Sequence, residues 1–436
     1  MKRYSRLLLM AAAAAIVAGC TRSSSKSASA SSQTAACHAA LAAGSQTHAI
    51  DRTIADLQER AKRSTRQRDA LEQLGFQLIA RARIANDPGD YTLTERVATC
   101  IEEQNPGDAA ALLLRGHALH QLHRFHEAEA IARTLVTKRE FVLDYALLGD
   151  ALMEQGRLTE AATAYQKMID LKPFYQSYTR AAHLRWLTGD LNGAIDLIHK
   201  AIDAASPRTP EALAWAYTRL AGYELQRGNV DQSMRAIDAA LTVQPDYAAA
   251  LLMRGRALLV LERSRDAVPV LERAARLNPL PEYQWVLADA LRREKRDQEA
   301  ASVEQQLLAS GPATDPRTVA LFLSTRRDNP AHALELSERE LTARRDVFTE
   351  DAHAWALAAA GRFDEAGAAM GRALAAHTND ARLFLHAGVI AASKGHHADA
   401  RRLFARADKV RSTLLPSELD ILHSYHSGSL GNHSGD

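Results

Sequence analysis

Four histidines spaced three residues apart, His117, His120, His123 and His126, form the cluster in this chain with the clearest capacity for chemistry. Residues three apart lie close together on a helix face, so two or three of these imidazoles could bind a transition metal such as zinc. A turn at His123 would place His126 in the next helix and divide the row. A metal-dependent hydrolase that uses this cluster is therefore an alternative function and not the first expectation.

The rest of the sequence lacks the spacings on which common enzymes depend. His126-Glu127 has no second histidine where a zinc-protease helix requires one, and no nucleophile elbow, phosphate loop or dinucleotide fingerprint is present. The Asp and Glu residues fall beside Arg, as expected of the solvated face of helices. We therefore expect a protein that is not an enzyme, with no catalytic residue, no metal and no cofactor.

The elements that carry these residues are expected to be helices. Of the 436 residues, 47% are hydrophobic but only 6% are aromatic, and alanine and leucine supply much of the apolar material. Few β-branched or aromatic residues favour helix over sheet. The sequence therefore predicts an all-α fold.

Prolines recur at a nearly constant interval, and most of them end a similar helical pattern. The gaps between them are 34, 38, 34 and 33 residues, and the five positions are Pro173, Pro207, Pro245, Pro279 and Pro312. A fixed period in this range is the signature of a helix-pair repeat.

One unit, residues 142–175, shows what the repeat contains. Gly149 and Ala161 are small where two helices cross, Gly156 can end the first helix in a left-handed conformation, Tyr165 fills the space between hairpins, and Pro173 ends the second helix. With these residues the unit resembles the tetratricopeptide repeat. The resemblance implies a right-handed α-solenoid, or superhelix, of stacked tetratricopeptide helix pairs.

Similar copies along the chain predict its domain organisation. The repeat array is expected over residues 107–412 and diverges at about 315–345, where Asn329-Pro330 interrupts the pattern. An irregular helical cap with a degenerate repeat is expected before it, at 47–106. A C-terminal cap and disordered tail are expected at 413–436.

The N-terminus carries the features of a targeting segment. Lys2, Arg3 and Arg6 precede an apolar run over residues 7–18 that is too short to span a bilayer, and the run ends in Val17-Ala18-Gly19-Cys20. This ending resembles the lipobox of bacterial lipoproteins. The resemblance implies that residues 1–19 are a signal peptide, that Cys20 is lipidated with fatty acyl chains such as palmitate, and that residues 20–46, rich in Ser and Ala, form a flexible tether. Thr21 is not aspartate, which in these families implies the outer membrane, facing the periplasm.

Two further cysteines remain, Cys37 and Cys100. In a compartment where disulfides persist they could pair and fix the end of the tether to the first helices. Alternatively, Cys100 is a small buried apolar residue of a helix. The sequence leaves both possibilities open.

Charge argues against nucleic acid as a partner. The formal charge of +2 becomes −1 once the three basic residues of the signal peptide are removed, and no block of Lys and Arg follows. We expect no nucleic-acid binding.

In tetratricopeptide proteins the first helix of each pair builds the inner face, and transferring this pattern predicts a peptide-binding groove. Aromatic residues would supply buried area and arginines would orient carboxylates. The groove would contain Asp150, His183, Trp186, Trp215, Thr218, Arg256, Trp285, Asp289, Arg292 and Arg293.

Together these features predict a membrane-tethered lipoprotein that acts as a protein–protein interaction scaffold or assembly factor in the bacterial cell envelope. Its partners would be envelope proteins or peptides bound in the groove, with the lipid anchor in the membrane. Besides the hydrolase, a solenoid that binds a small ligand or glycan is an alternative, supported by the tryptophans.

Overall fold

A computed structural model describes residues 35–42, 49–63, 67–85, 87–206 and 209–427 of the chain. These residues form 23 α-helices and one 3-10 turn, and none of them lies in a β-strand. None of these helices is both long and apolar enough to cross a membrane. The predicted signal peptide, Cys20 and most of the predicted tether lie outside the described residues.

The first four helices form the N-terminal end of the molecule. They are α1 (Ala35–Ala40), α2 (Ala49–Arg63), α3 (Gln67–Ala85) and α4 (Gly89–Gln104). Helices α2 to α4 pack in sequence around a core that includes Leu71, Leu74 and Ile101.

Helix α1 lies inside the segment predicted to be a flexible tether, and here the structure differs from the prediction. Cys37 and Ala40 are buried against α4, and the Cys37 and Cys100 sulfur atoms are joined in a disulfide at 1.93 Å. A covalent bond and a small apolar face are sufficient to fix this short helix. Of the two possibilities left open for Cys100, the structure shows the disulfide.

Nine helix pairs follow and stack into the right-handed all-α solenoid predicted from the sequence. The pairs are α5–α6 (Ala109–Gln121, Phe125–Lys138), α7–α8 (Val142–Glu154, Leu158–Leu171), α9–α10 (Tyr175–Leu187, Leu191–Ala204), α11–α12 (Pro210–Arg227, Val230–Val243), α13–α14 (Ala248–Val260, Ser264–Leu277), α15–α16 (Pro281–Arg293, Asp297–Thr314), α17–α18 (Pro316–Arg326, Pro330–Ala343), α19–α20 (Val347–Ala359, Phe363–Leu374) and α21–α22 (Ala381–Ser393, His397–Lys409).

The prolines end most of these pairs as expected. Pro173, Pro245 and Pro279 each follow the last residue of a second helix by two positions. Pro312 differs, because it lies in the last turn of α16 and the helix continues to Thr314. Pro207 lies outside the described residues.

Glycine permits the close crossing of the two helices in several pairs. A Cβ atom on Gly149 would lie 2.2 Å from Tyr165 Cε1, and a Cβ atom on Gly255 would lie 2.2 Å from Leu271 Cδ2. Neither distance is possible between non-bonded carbon atoms, so the small residue sets how close the helices approach. This is the role that the sequence assigned to Gly149.

The first helices of the pairs contact one another and line the inside of the superhelix, and later repeats close back onto earlier ones. The Arg345 N–H donates to Glu154 O over 3.1 Å, and Thr378 Oγ1 donates to Leu187 O over 2.5 Å. Both acceptors are carbonyls at the end of a first helix, which have no partner within the helix. Gly189 follows one of these ends with φ +85°, and its Cβ would lie 2.6 Å from His377 O, so both conformation and contact require glycine.

The C-terminal segment folds against the first helices of the pairs. After the 3-10 turn Arg411–Thr413, helix α23 (Pro416–His426) packs on α15 and α21. Ser412 Oγ donates to Leu225 O over 2.5 Å, so the segment also reaches α11. The part of 413–436 that the structure describes is therefore an ordered inner element, whereas residues 428–436 lie outside the description.

Candidate functional site

A cavity of about 460 Å³ lies inside the superhelix. It is bounded by first helices from α9 to α21 and by the C-terminal segment through Thr413 and Leu415. A second cavity of about 230 Å³ adjoins it and shares Trp186, Arg219 and Phe348 with the first. These two spaces form the candidate site, and we refer to them together as the inner cavity.

Six of the ten residues predicted for the groove line the inner cavity. Each comes from a first helix, as the transferred pattern required. They are His183, Trp186, Trp215, Thr218, Arg256 and Trp285.

The other four predicted residues make contacts elsewhere. Asp150 binds Arg180, with distances of 2.8 and 2.7 Å from the guanidinium nitrogens to its oxygens. Arg292 binds Glu304 of α16, the second helix of its own pair, at 2.6 Å from Nη2 to Oε2. Asp289 and Arg293 face the C-terminal segment.

Asp150 therefore has an internal structural partner. Tyr165 Oη also donates to Asp150 Oδ1 over 2.7 Å. Burial alone would raise the pKa of Asp150, but the charge and hydrogen bonds of Arg180, together with the tyrosine hydroxyl, hold that pKa below its ordinary value. The pair remains ionised and ties α7 to α9.

The C-terminal segment occupies the inner face at α15. Ser417 Oγ donates to Asp289 Oδ2 over 2.6 Å, Arg293 Nη2 donates to Asp420 Oδ1 over 2.7 Å, and Arg382 forms an ion pair with the buried Glu418. The inner face is consequently not a continuous open groove. That these residues bind a partner's peptide stays a prediction.

Arg219 is the central charged residue of the inner cavity. Its guanidinium carbon lies 5.5–5.8 Å from the ring centroids of Trp186, Trp215 and Tyr223, which is within the range of cation–π contact. Its Nη2 lies 3.1 Å from His183 Nδ1. Burial is the larger cause and the charge of Arg219 the second cause that lower the pKa of His183 to about 3. This histidine is therefore neutral and accepts the hydrogen bond from Arg219.

Aromatic stacking fixes this wall of the cavity. Trp186 stacks on Phe348 from the later part of the chain, with ring centroids 5.5 Å apart and an angle of 21° between the planes. The Trp186 Nε1–H donates to Gln226 Oε1 over 2.7 Å, and the Gln226 amide in turn contacts Asn379 O. The indole is therefore held on both sides by residues from different turns of the superhelix.

The four histidines that could have formed a metal site do not converge. His117 lies against Phe76, His120 against Phe125, His123 occupies the turn with φ +58°, and His126 is exposed. Burial lowers the pKa of His117 to about 4. Across the described ranges no three His, Cys, Asp or Glu side chains are grouped so as to hold a metal ion. The turn that the sequence placed at His123 is the physical reason that the row is divided.

Several cavity residues were not predicted, for two different reasons. Arg219 and Tyr223 lie on α11 beside the predicted Thr218, so a wider reading of the helix face would have found them. Arg317, Phe348 and Arg382 come from later repeats and reach the site only because the superhelix closes.

Comparison with known proteins identifies the class. The sequence model of the tetratricopeptide repeat matches residues 145–176, 218–264, 252–314 and 352–412. The chain therefore contains tetratricopeptide repeats, as its sequence predicted, and such repeats indicate a protein–protein interaction scaffold. The matched stretches leave out residues 315–351, which contain the whole segment predicted to diverge, at about 315–345.

Solved structures resemble the chain at low identity, and no curated protein sequence matches it. The MamA protein has a TM-score of 0.31 at 18% identity, covering 39% of this chain and 92% of its own. A monomeric mutant of IFIT1 with Gppp-AAAA has a TM-score of 0.48 at 14% identity, covering 83% of this chain and 86% of its own. A related IFIT1 structure with m7Gppp-AAAA has a TM-score of 0.47 at 14% identity, with 82% and 84% covered.

Proposed function

We propose that the chain is a lipoprotein, anchored through Cys20 in the outer membrane of a bacterium and facing the periplasm, where its solenoid acts as a scaffold or assembly factor for envelope proteins. The observation that carries this proposal is the disulfide between Cys37 and Cys100. Disulfides persist in oxidising compartments such as the periplasm and are rare in the cytosol. The bond begins 17 residues after the proposed lipidated cysteine, as expected of a chain exported with its anchor.

The mechanism is geometric and needs no bond-breaking step. Fourteen residues separate Cys20 from α1, and at full extension they would span roughly 50 Å. The disulfide fixes α1 to α4, so the reach of the solenoid from the membrane is limited to this segment. Confinement to a layer of that depth raises the effective concentration of the solenoid toward membrane proteins.

Replacing the anchor cysteine tests the membrane part of the proposal. In cells that express the full chain, Cys20→Ala should abolish labelling by radioactive palmitate and move the protein from the membrane pellet to the periplasmic fraction. The matched control is the double variant Cys37→Ala/Cys100→Ala, which removes the disulfide and should stay membrane-bound. Retention of both label and membrane location by Cys20→Ala would refute the lipoprotein assignment.

Crosslinking tests the scaffold part. A crosslink to the same envelope protein should be reproducible with the wild-type chain and weaker by tenfold or more with Cys20→Ala, because a released scaffold loses effective concentration of this order or larger. Equal crosslinking by both proteins would show that the tether does not contribute to partner binding. Proper folding of the variant is checked by its far-UV circular dichroism.

A further inference from the structure

Five arginines line the inner cavity, and four of them have a carboxylate partner. Arg344 Nη1 lies 3.3 Å from Glu154 Oε2. Arg256 Nη1 lies 3.3 Å from Glu282 Oε1, Arg317 Nη1 lies 3.4 Å from Asp346 Oδ1, and Arg382 binds Glu418. Arg219 forms no ion pair with any residue that the structure describes. Its Nε–H is buried and has no hydrogen-bond partner in the same set of residues.

The remaining neighbours of Arg219 do not replace a carboxylate. His183 is neutral and offers a single nitrogen, at 3.1 Å from Nη2. The rings of Trp186, Trp215 and Tyr223 attract a cation but accept no strong hydrogen bond from the planar N–H groups. A half-buried guanidinium of this kind gains most from an anion that accepts two N–H bonds at once.

The carboxylates that line the cavity are already occupied. Glu154 pairs with Arg344, and Asp346 pairs with Arg317. Glu282 pairs with Arg256, Asp351 Oδ1 lies 2.8 Å from His386 Nδ1, and Asp380 accepts the backbone N–H groups at the start of α21. None of these acids is therefore available to pair with Arg219. Because every other cavity arginine already has a carboxylate partner, a single carboxylate matches the one free guanidinium fork.

We propose that the inner cavity binds a small organic monoanion that has one carboxylate and a flat apolar body. Arg219 binds the carboxylate, and the three aromatic rings around it contact the body. The volume of about 460 Å³ lies within the range of ligand sites in proteins. This inference is independent of the lipid anchor and of any protein partner.

Calorimetric titration of the purified full chain with 2-naphthoate tests the proposal, and the neutral amide 2-naphthamide serves as the matched probe. We expect 2-naphthoate to bind in a 1:1 ratio and at least tenfold more tightly than the amide. Arg219→Gln should weaken binding of the acid by 10- to 100-fold, or about 1.4–2.8 kcal/mol, and leave binding of the amide within threefold. Arg263→Gln, which removes an exposed arginine that lies outside the cavity and is paired with Asp266, should change acid binding by less than threefold.

Three results would overturn the proposal. These are no 1:1 binding of 2-naphthoate up to millimolar concentration, equal affinity for acid and amide, or equal losses in the two arginine variants. The comparison of acid with amide uses only the wild-type chain, so it remains decisive if a variant fails to fold. Thermal unfolding followed by circular dichroism identifies such a variant.

Discussion

Alanine at Gly149 should destabilise the protein, whereas alanine at Gly371 should stabilise it. Both glycines lie within helices, α7 and α20, and both substitutions gain the helix propensity of alanine, about 1 kcal/mol in the free energy of unfolding. Gly371 is exposed, and an added Cβ would meet nothing within 4 Å. The gain should therefore appear undiminished at this position.

At Gly149 the same gain is outweighed by the cost of overpacking. The added Cβ would lie 2.2 Å from Tyr165 Cε1 and 2.5 Å from Cδ1 of a ring that is 2% exposed. Forcing an extra carbon into a packed core costs about 1–3 kcal/mol. If the ring moves away, it also loses its hydrogen bond to the Asp150 carboxylate, and a hydrogen bond to a charged group contributes about 1.5–3 kcal/mol. The expected net loss is roughly 1.5–5 kcal/mol after subtracting the propensity gain.

Urea unfolding followed by circular dichroism measures the global change in stability. Because a repeat array need not unfold in a single step, hydrogen exchange of peptides from α7–α8 and α20 measures the local change. The Gly149→Ala variant should exchange faster in α7–α8, and Gly371→Ala should exchange more slowly in α20. If Gly149→Ala is as stable as the wild type, or if Gly371→Ala is less stable, the packing argument is wrong.

Three other perturbations have expected outcomes. Cys37→Ser removes the disulfide to Cys100, which closes a loop of 63 residues. The chain-entropy model predicts that this lowers the free energy of unfolding by about 4 kcal/mol. Equal urea unfolding curves for the variant and the wild type would contradict this prediction. Glu418→Ala removes the buried carboxylate of an ion pair, leaves the half-buried Arg382 without that partner, and should cost about 3–5 kcal/mol. Asp420→Ala breaks an exposed pair and should cost less than about 1 kcal/mol; thermal unfolding that ranks the two variants in the reverse order would refute this. Burial, and to a smaller extent the nearby arginine, lowers the pKa of His183 to about 3 in the folded chain, whereas the unfolded chain binds the proton near pH 6.5. The contribution of His183 to stability should therefore be complete above pH 6.5. The free energy of unfolding should fall by up to about 1.4 kcal/mol per pH unit as the pH drops toward 3. His183→Asn should reduce that slope in urea titrations between pH 7 and 5, and an unchanged slope would show that other groups cause it.

The sequence predicted the repeat well because each repeat is defined by local contacts. Gly149 and Tyr165 lie 16 positions apart in one hairpin, and small and large residues at that spacing are visible in the printed chain. Pro173 acts on the helix that immediately precedes it. Interactions of this range depend on a few neighbouring residues, so a repeated pattern is enough to identify them.

The site was predicted only in part because half of it depends on closure of the superhelix. Trp186 and Trp215 follow from the position of first helices along the repeat. Phe348, which stacks on Trp186, lies 162 residues later in the chain, and nothing in its local sequence indicates that partner. The position of the C-terminal helix on the inner face could not be predicted for the same reason.

Closure also sets the order in which the chain can fold. Hairpins such as α7–α8 contain short-range contacts and can form as soon as their residues are available. The contact between Arg344 and Glu154 joins residues 190 apart, and that between Thr378 and Leu187 joins residues 191 apart. Until the later repeats make these contacts, the Trp186 ring and the carbonyls at the ends of α7 and α9 remain uncovered.

If the exported chain emerges at the rate of its synthesis, about 5–20 residues per second, a delay of 190 residues lasts roughly 10–40 seconds. A nascent solenoid therefore exposes, for that interval, an aromatic surface that the finished molecule encloses. Any factor that binds this uncovered surface must act before the C-terminal repeats dock.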